Sequence, residues 1–276
     1  MSKNIIFVFS GTGNSLWAAR TIARELPGCQ VVTMGRNWEG ILPKGYDSIG
    51  FLCPTYAGGV PKRVKEFIAH LDLQNNKNAY FFAVATCGRV SRAQNVITQI
   101  RHYLKQKGVR LQFGERLDMY SNYVVGYEMR KTVLEEAKQS AIDIQPMIES
   151  IKNHMTNKGT VLTPRHLESM GFMLIAGNMD KNFHVSDTCA RCGICKKVCP
   201  VDNIEMNTAG KPHFMHHCEQ CLACIQNCPV KSINYKDKTQ NRGRYMHPDI
   251  SWKELAALNG NTEKTEEDCI IQEMPI

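Results

Sequence analysis

Short apolar runs alternate with amphipathic stretches through the first 157 residues of the chain. Ile5–Phe9 reads as a buried strand, and Gln30–Thr33, Ser48–Cys53, Ala79–Ala85 and Val109–Asp118 predict four more. Between them, Ser15–Leu26 places Leu16, Ala19, Ile22, Ala23 and Leu26 on one stripe and predicts a helix. Pro61–Leu71, Ser91–Lys107 and Lys131–Asn157 predict further helices. Apolar strands alternating with helices imply a parallel sheet covered on both faces. Right-handed crossovers make that a doubly wound, three-layer α/β domain over residues 1–157. Residues 158–184 form a linker, in which Gly171–Gly177 predicts a short helix packing one domain on the other. Residues 185–236 are dense in cysteine and poor in recognisable elements. Residues 237–276 turn polar, and Asn261–Ile276, with Glu263, Glu266, Glu267 and Asp268, predicts a loosely held tail.

Composition changes this picture little. The chain has 276 residues and a formal net charge of +8, but no block of five or more Lys or Arg. Its aromatics do not interleave with basic residues, so no nucleic-acid surface is predicted. The first apolar run is too short for a signal-peptide core, and the longest later one, Phe172–Ala176, falls far short of a membrane helix. The expectation is a cytoplasmic protein with no membrane partner. In a reducing compartment its 12 cysteines point to metal ligands rather than disulfides.

Eight of those cysteines form a repeat. Cys189, Cys192, Cys195 and Cys199-Pro200-Val201 are matched by Cys218, Cys221, Cys224 and Cys228-Pro229-Val230, each reading C-x2-C-x2-C-x3-C-P-V. A zinc site needs neither the third cysteine nor the Cys-Pro end. Three cysteines spaced by two residues let one loop wrap three corners of a cubane cluster, while the fourth faces away and ligates the other cluster. The spacing therefore predicts two 4Fe–4S clusters. Cys189, Cys192, Cys195 and Cys228 hold one, and Cys218, Cys221, Cys224 and Cys199 hold the other. The segment 185–235 resembles bacterial ferredoxins with two such clusters, a small α+β fold. Cys29, Cys53, Cys87 and Cys269 have no partner spacing, and the first three read as buried apolar residues.

A second chemistry sits at the first strand. Ser10-Gly11-Thr12-Gly13-Asn14-Ser15 joins Ile5–Phe9 to a helix, and such a loop is an anion site. It lacks the G-K-[ST] end of a nucleoside triphosphate loop, and Leu16 replaces the third glycine of a dinucleotide loop. Three hydroxyls, an asparagine and no cation suit a phosphate monoester. The loop resembles the phosphate-binding loop of flavodoxins. Pro54-Thr55-Tyr56-Ala57-Gly58-Gly59 is similar to the flavodoxin loop that lies against the isoalloxazine ring, and Thr86-Cys87-Gly88 sits where the family places its other flavin loop. The resemblance implies bound FMN, with Tyr56 stacked on the ring and Ala57, Gly58 and Gly59 near its N5 edge. Arg89 departs from the small residues expected there.

The order of the two modules resembles flavodoxin–ferredoxin fusion proteins of anaerobes, over residues 3–248, including Arg244–Pro248. What it implies is a flavodoxin-like five-stranded domain followed by a two-cluster domain, relaying electrons between the clusters and FMN and serving redox partner proteins. Two alternatives stay open. One is an FMN-dependent reductase of a small substrate fed by the clusters, with Tyr120, Asn122 and Tyr123 near its pocket. The other is a ferredoxin with a flavin-free docking domain. No acid–base pair or catalytic triad stands out.

Overall fold

The computed structural model describes residues 3–35, 45–159 and 161–261. Five parallel strands, β1 (Asn4–Val8), β2 (Cys29–Thr33), β3 (Ser48–Pro54), β4 (Tyr80–Cys87) and β5 (Phe113–Asp118), lie in the order β2-β1-β3-β4-β5. This is the flavodoxin-like doubly wound arrangement, whose order reverses between β1 and β3. The three central strands, β1, β3 and β4, are apolar at most successive positions because each face meets its own helical layer. Ile5, Phe7, Phe51 and Phe81 pack on one side, with Val64, Phe67 and Ile68 of α2 (Lys62–His70) and Ile97, Ile100 and Leu104 of α3 (Val96–Gln106). Ile6, Val8, Leu52 and Phe82 pack on the other, against Leu16, Ala19 and Ile22 of α1 (Asn14–Arg24). Each fully buried Phe contributes about 2–3 kcal/mol, so the centre of the sheet is its most stable part.

The predicted Lys131–Asn157 helix is two helices, α4 (Val133–Asp143) and α5 (Gln145–Lys152). Pro146 stands in the first turn of α5, where its missing N–H costs nothing, and it could not sit inside one continuous helix. The short helix expected at 171–177 is longer, running as α6 over His166–Ile175 into a 3-10 segment, Ala176–Asn182.

The cysteine-rich region carries small regular elements: β6 (Phe183–Val185) pairs antiparallel with β9 (Ile233–Tyr235), and β7 (Ile204–Met206) with β8 (Pro212–Phe214). One-turn helices α7 (Ile194–Lys197) and α8 (Ala223–Gln226) begin within the two cysteine motifs. The polar region beyond contains one more helix, α9 (Trp252–Leu258). Its start is a capping box: Ser251 Oγ accepts from Glu254 N–H at 3.3 Å, and Glu254 Oε2 accepts from Ser251 N–H at 2.7 Å. The predicted tail beyond Asn261 lies outside the described residues. Among the described residues, no helix is long and apolar enough to cross a membrane.

Candidate functional site

The loop after β1 delivers Ser10 to Ser15 to the N-terminus of α1. Gly13 precedes the helix with φ 99°, a conformation that favours glycine, and no side chain caps the helix. Among the described residues, no hydrogen bond claims the N–H groups of Thr12, Gly13, Asn14 or Ser15. Four unclaimed donors at a helix N-terminus make a place for a phosphate. The side chains around them are tied to one another. Ser15 Oγ lies 2.8 Å from Thr86 Oγ1, Asn14 donates to the Tyr120 carbonyl at 3.2 Å, and Asn122 donates to Thr12 Oγ1 at 2.7 Å.

A cavity of about 400 Å3 extends from this loop. It brings together Ser10, Gly11, Thr12, Asn14, Ser15, Pro54, Thr55, Tyr56, Ala57, Thr86, Cys87 and Gly88. Gly13 and Gly59 do not line it; Gly59 packs beneath Ser169 of α6, and Gly58 faces an adjoining chamber. The turn at Tyr56 is closed by reciprocal bonds, Tyr56 N–H to Gly59 O and Gly59 N–H to Tyr56 O, both 2.9 Å. Ala57 at its tip takes φ 45°. Thr55 Oγ1 is buried and has no partner, an orphan that a polar ligand atom would satisfy.

Of the remaining wall, Tyr120, Asn122 and Tyr123 are the residues expected near a pocket after the fifth strand, and the others were not foreseen. Tyr120, Ser121, Asn122, Tyr123 and Tyr127 follow β5, Phe172 comes from α6, and Gln220, Cys221 and Leu222 come from the second cysteine motif. Tyr120 to Tyr123 sit where a fifth strand end predicts a ligand loop. The other contributions carry no local signal. The approach of the two modules is close: a Cβ on Gly11 would stand 2.7 Å from the Cys221 carbonyl oxygen and 2.9 Å from its Cβ. Only a glycine lets the Ser10–Ser15 loop meet Cys221 there.

The two cysteine motifs repeat in backbone as well as in sequence. Arg191 and Gly193 have φ of 55° and 72°, and their counterparts Gln220 and Leu222 have 52° and 60°. Asp202 and Lys231, each three residues past the fourth cysteine, have 54° and 51°. Left-handed residues on both sides of the second cysteine curl each loop inward. Backbone N–H groups then point at sulfur, from Asn203 to Cys199 at 3.3 Å, Gln220 to Cys218 at 3.2 Å and Ser232 to Cys228 at 3.2 Å. One small cavity is lined by Cys189, Cys192, Cys195 and Cys228, and another by Cys199, Cys218, Cys221 and Cys224. Among the described residues, no group of three potential ligands converges on a point fit for a single metal ion. The cysteines ring cages, and two cages of four sulfurs with inward N–H groups are the donor sets that cubane clusters need. Burial pushes the Cys195 and Cys218 thiols up to about 12 and holds the Cys221 and Cys224 thiols well above their ordinary range, so these groups ionise only beside strong positive charge.

Two family models match the chain, a flavodoxin domain over residues 5–119 and a 4Fe-4S dicluster domain over residues 181–241. The chain is a flavodoxin domain fused to a 4Fe-4S dicluster domain. Both are electron-transfer domains. Similar solved structures include a Fusobacterium nucleatum flavodoxin bound to flavin mononucleotide (13% identity, 56% of this chain and 100% of that one, TM-score 0.39). A Lactobacillus acidophilus NCFM flavoprotein in complex with FMN gives 13%, 42%, 93% and 0.35, and a Streptococcus pneumonia TIGR4 flavodoxin gives 16%, 52%, 97% and 0.33. The sheet order and the family models, rather than these likenesses, carry the fold. No curated protein matches the chain.

The dicluster domain is stapled to the flavodoxin domain next to the cavity. Glu219, between Cys218 and Cys221, is buried and accepts from the Arg63 N–H in the first turn of α2 at 2.8 Å. Burial still pushes its carboxyl up to about 7. The Tyr56 phenol is held neutral by burial, with Cys221 and Glu219 close enough to add to the effect.

The segment after the cysteine motifs closes over the Ser10–Ser15 loop of the flavodoxin domain. Tyr245 stacks on Tyr120 at 4.4 Å and donates its hydroxyl to Asn14 Oδ1 at 2.6 Å. His247 donates its backbone N–H to the Thr12 carbonyl at 3.0 Å and stacks on Trp17 at 4.9 Å. Its ring is 1% exposed, Nδ1 accepts from Asp249 N–H, and Nε2 has no partner. Burial lowers its pKa from 6.5 to about 4. The folded state therefore binds this proton less readily than the unfolded chain. The neutral ring's contribution is intact above pH 6.5 and is lost as pH falls from 6.5 towards 4, about 3 kcal/mol in full. His247→Phe keeps an aromatic ring on Trp17 and is expected to lose less stability over that window, as read by urea unfolding at pH 7 and pH 4.5.

Proposed function

We propose that the chain relays electrons between FMN, bound in the cavity beside the phosphate loop, and two 4Fe–4S clusters. FMN exchanges one or two electrons and each cluster one, so a chain holding both splits or gathers electron pairs. The N–H groups of Thr12 to Ser15 would hold the phosphate, with Ser10, Gly11, Thr12, Asn14 and Ser15 around it. Pro54, Thr55, Tyr56, Ala57, Thr86, Cys87 and Gly88 would flank the ring, with Gly58 and Gly59 shaping the turn. Cys189, Cys192, Cys195 and Cys228 would hold one cluster, and Cys218, Cys221, Cys224 and Cys199 the other; the two four-cysteine cages support this pairing.

The observation that carries the reading is the contact of Cys221 with Gly11. Gln220, Cys221 and Leu222 form cavity wall, whereas no residue of the Cys189–Cys195 loop does. The Cys218–Cys224 loop is thus the inner one. The other faces outward, with Ala190, Arg191 and Cys192 exposed, and is where a redox partner protein would meet the chain. On this reading residues 1–157 form the flavin domain, 158–184 a packing segment, 185–236 the cluster domain, and 237–276 an extension whose described part closes over the phosphate loop. Free thiols suit the reducing cytoplasm. The unclaimed N–H groups and the orphan Thr55 hydroxyl count against a flavin-free docking domain.

Cofactor analysis of protein purified without oxygen tests this. About one FMN and about eight irons with matching acid-labile sulfide are expected per chain. Eight irons with no FMN, and none taken up on soaking, would leave a ferredoxin joined to a docking domain.

A further inference from the structure

A second chamber of about 450 Å3 opens beside the ring end of the first cavity. The two share Thr55, Ala57, Cys87, Gly88, Ser121 and Tyr127 as a common wall. The rest of the lining differs in kind. It is Gly58, three arginines and a single carboxylate, Glu168. Arg89 follows β4, Arg130 precedes α4, and Arg165 stands at the start of α6, so three separate segments bring positive charge to one mouth.

The three arginines are not equally engaged. Arg130 is committed, donating to both oxygens of Glu136 at 2.6 and 2.8 Å and lying 5.0 Å over the Tyr120 ring. Arg165 holds Glu168 only at 3.7 Å, with both side chains well exposed. Such a pair is worth less than about 1 kcal/mol and opens readily. Arg89 is exposed, and its side chain makes no ion pair or hydrogen bond among the described residues. Asp118 feels its charge without closing an ion pair.

We propose that this chamber binds a small organic anion, a carboxylate or a phosphate ester, between Arg89 and Arg165 and against the ring loops. Guanidinium forks match such oxygens in pairs. A concave space of this size suits a small molecule rather than a protein face. Glu168 gives up Arg165 at little cost. The shared wall of Thr55, Cys87 and Gly88 sets the ligand beside the flavin, so its role as an electron acceptor or donor rests on the FMN reading, while the binding itself does not.

The test is ligand-observed NMR on the full chain, at constant ionic strength. Benzoate and phenyl phosphate are the anionic probes, and benzamide the neutral one. Saturable binding of at least one anion is expected, at least tenfold tighter than benzamide. Which anion binds tells carboxylate from phosphate ester. R89Q combined with R165Q is expected to lose at least tenfold in affinity while its thermal unfolding stays unchanged, and E168Q to gain severalfold. In FMN-loaded protein the same titration is expected to shift the flavin visible spectrum with the same affinity. Benzamide binding as well as the anions, an unchanged double variant, weaker binding by E168Q, or no saturable binding at all overturns the proposal. Arginine-dependent binding in protein that takes up no FMN sustains the chamber and sinks the relay reading, so the two fail separately.

Discussion

Replacing Cys221 by alanine is expected to cut the flavin off from an outside electron donor, whereas replacing Cys192 leaves the flavin's nearest cluster in place. Both variants remove one ligand of one four-cysteine cage, and each is expected to keep about four irons of about eight. They differ in what the lost loop touches. Cys221 abuts Gly11 and lines the cavity proposed for the flavin, while Cys192 is exposed on the other loop. Reduction of FMN by an external protein donor should therefore slow on the order of 100-fold in Cys221→Ala, a loss of the size seen when metal-site support is removed. In Cys192→Ala the same donor should reduce the flavin with a smaller loss, because the cage beside the cavity keeps all four of its cysteines. Stopped-flow spectra at the flavin band, with iron and sulfide counts on the same samples, read this directly. Equal rates in the two variants would remove the inner and outer assignment.

Gly11→Val is expected to weaken FMN binding by roughly 100-fold and to lower the melting temperature. The added Cβ alone would stand 2.7 Å from the Cys221 carbonyl oxygen and 2.9 Å from its Cβ, atoms fixed by the backbone rather than the end of a flexible side chain. Overpacking of this kind costs about 1–3 kcal/mol, and about 2.7 kcal/mol is a hundredfold in affinity. Because the contact joins the phosphate loop to a cysteine loop, the damage should appear in both FMN titration and cluster retention. Gly171→Ala is the control. It lies inside α6 with nothing near its would-be Cβ, and it should leave both measurements unchanged and stabilise slightly.

The Lys131–Asn157 stretch kept a helical pattern across Pro146, and the proline marked the break that the pattern hid. The three-residue strands β6 to β9 are too short for a period-2 signal to register. Helix α9 carries the S-x-x-E of Ser251 and Glu254 and an apolar face of Trp252, Leu255, Ala256 and Leu258, but at seven residues it is too short to stand out within a polar region.

What the sequence by itself determined is the local chemistry. Strands buried on both faces must be apolar at consecutive positions, so Ile5–Phe9 and Ala79–Ala85 could be read directly. A phosphate loop needs its hydroxyls and glycines within a few residues, and a cluster loop needs cysteines at fixed short spacing. Those requirements are met within one turn of chain, where bond geometry alone sets distances. Only the tertiary structure decided which cysteine loop faces the cavity at the β1 loop, that Phe172 and Tyr127 line it, that Tyr245 and His247 close over Thr12 and Asn14, and that Arg89 and Arg165 share a chamber. Tyr245 and Asn14 are 231 residues apart and meet through one hydrogen bond. Such contacts are set by how packed surfaces dock, and no local pattern of residue types encodes that.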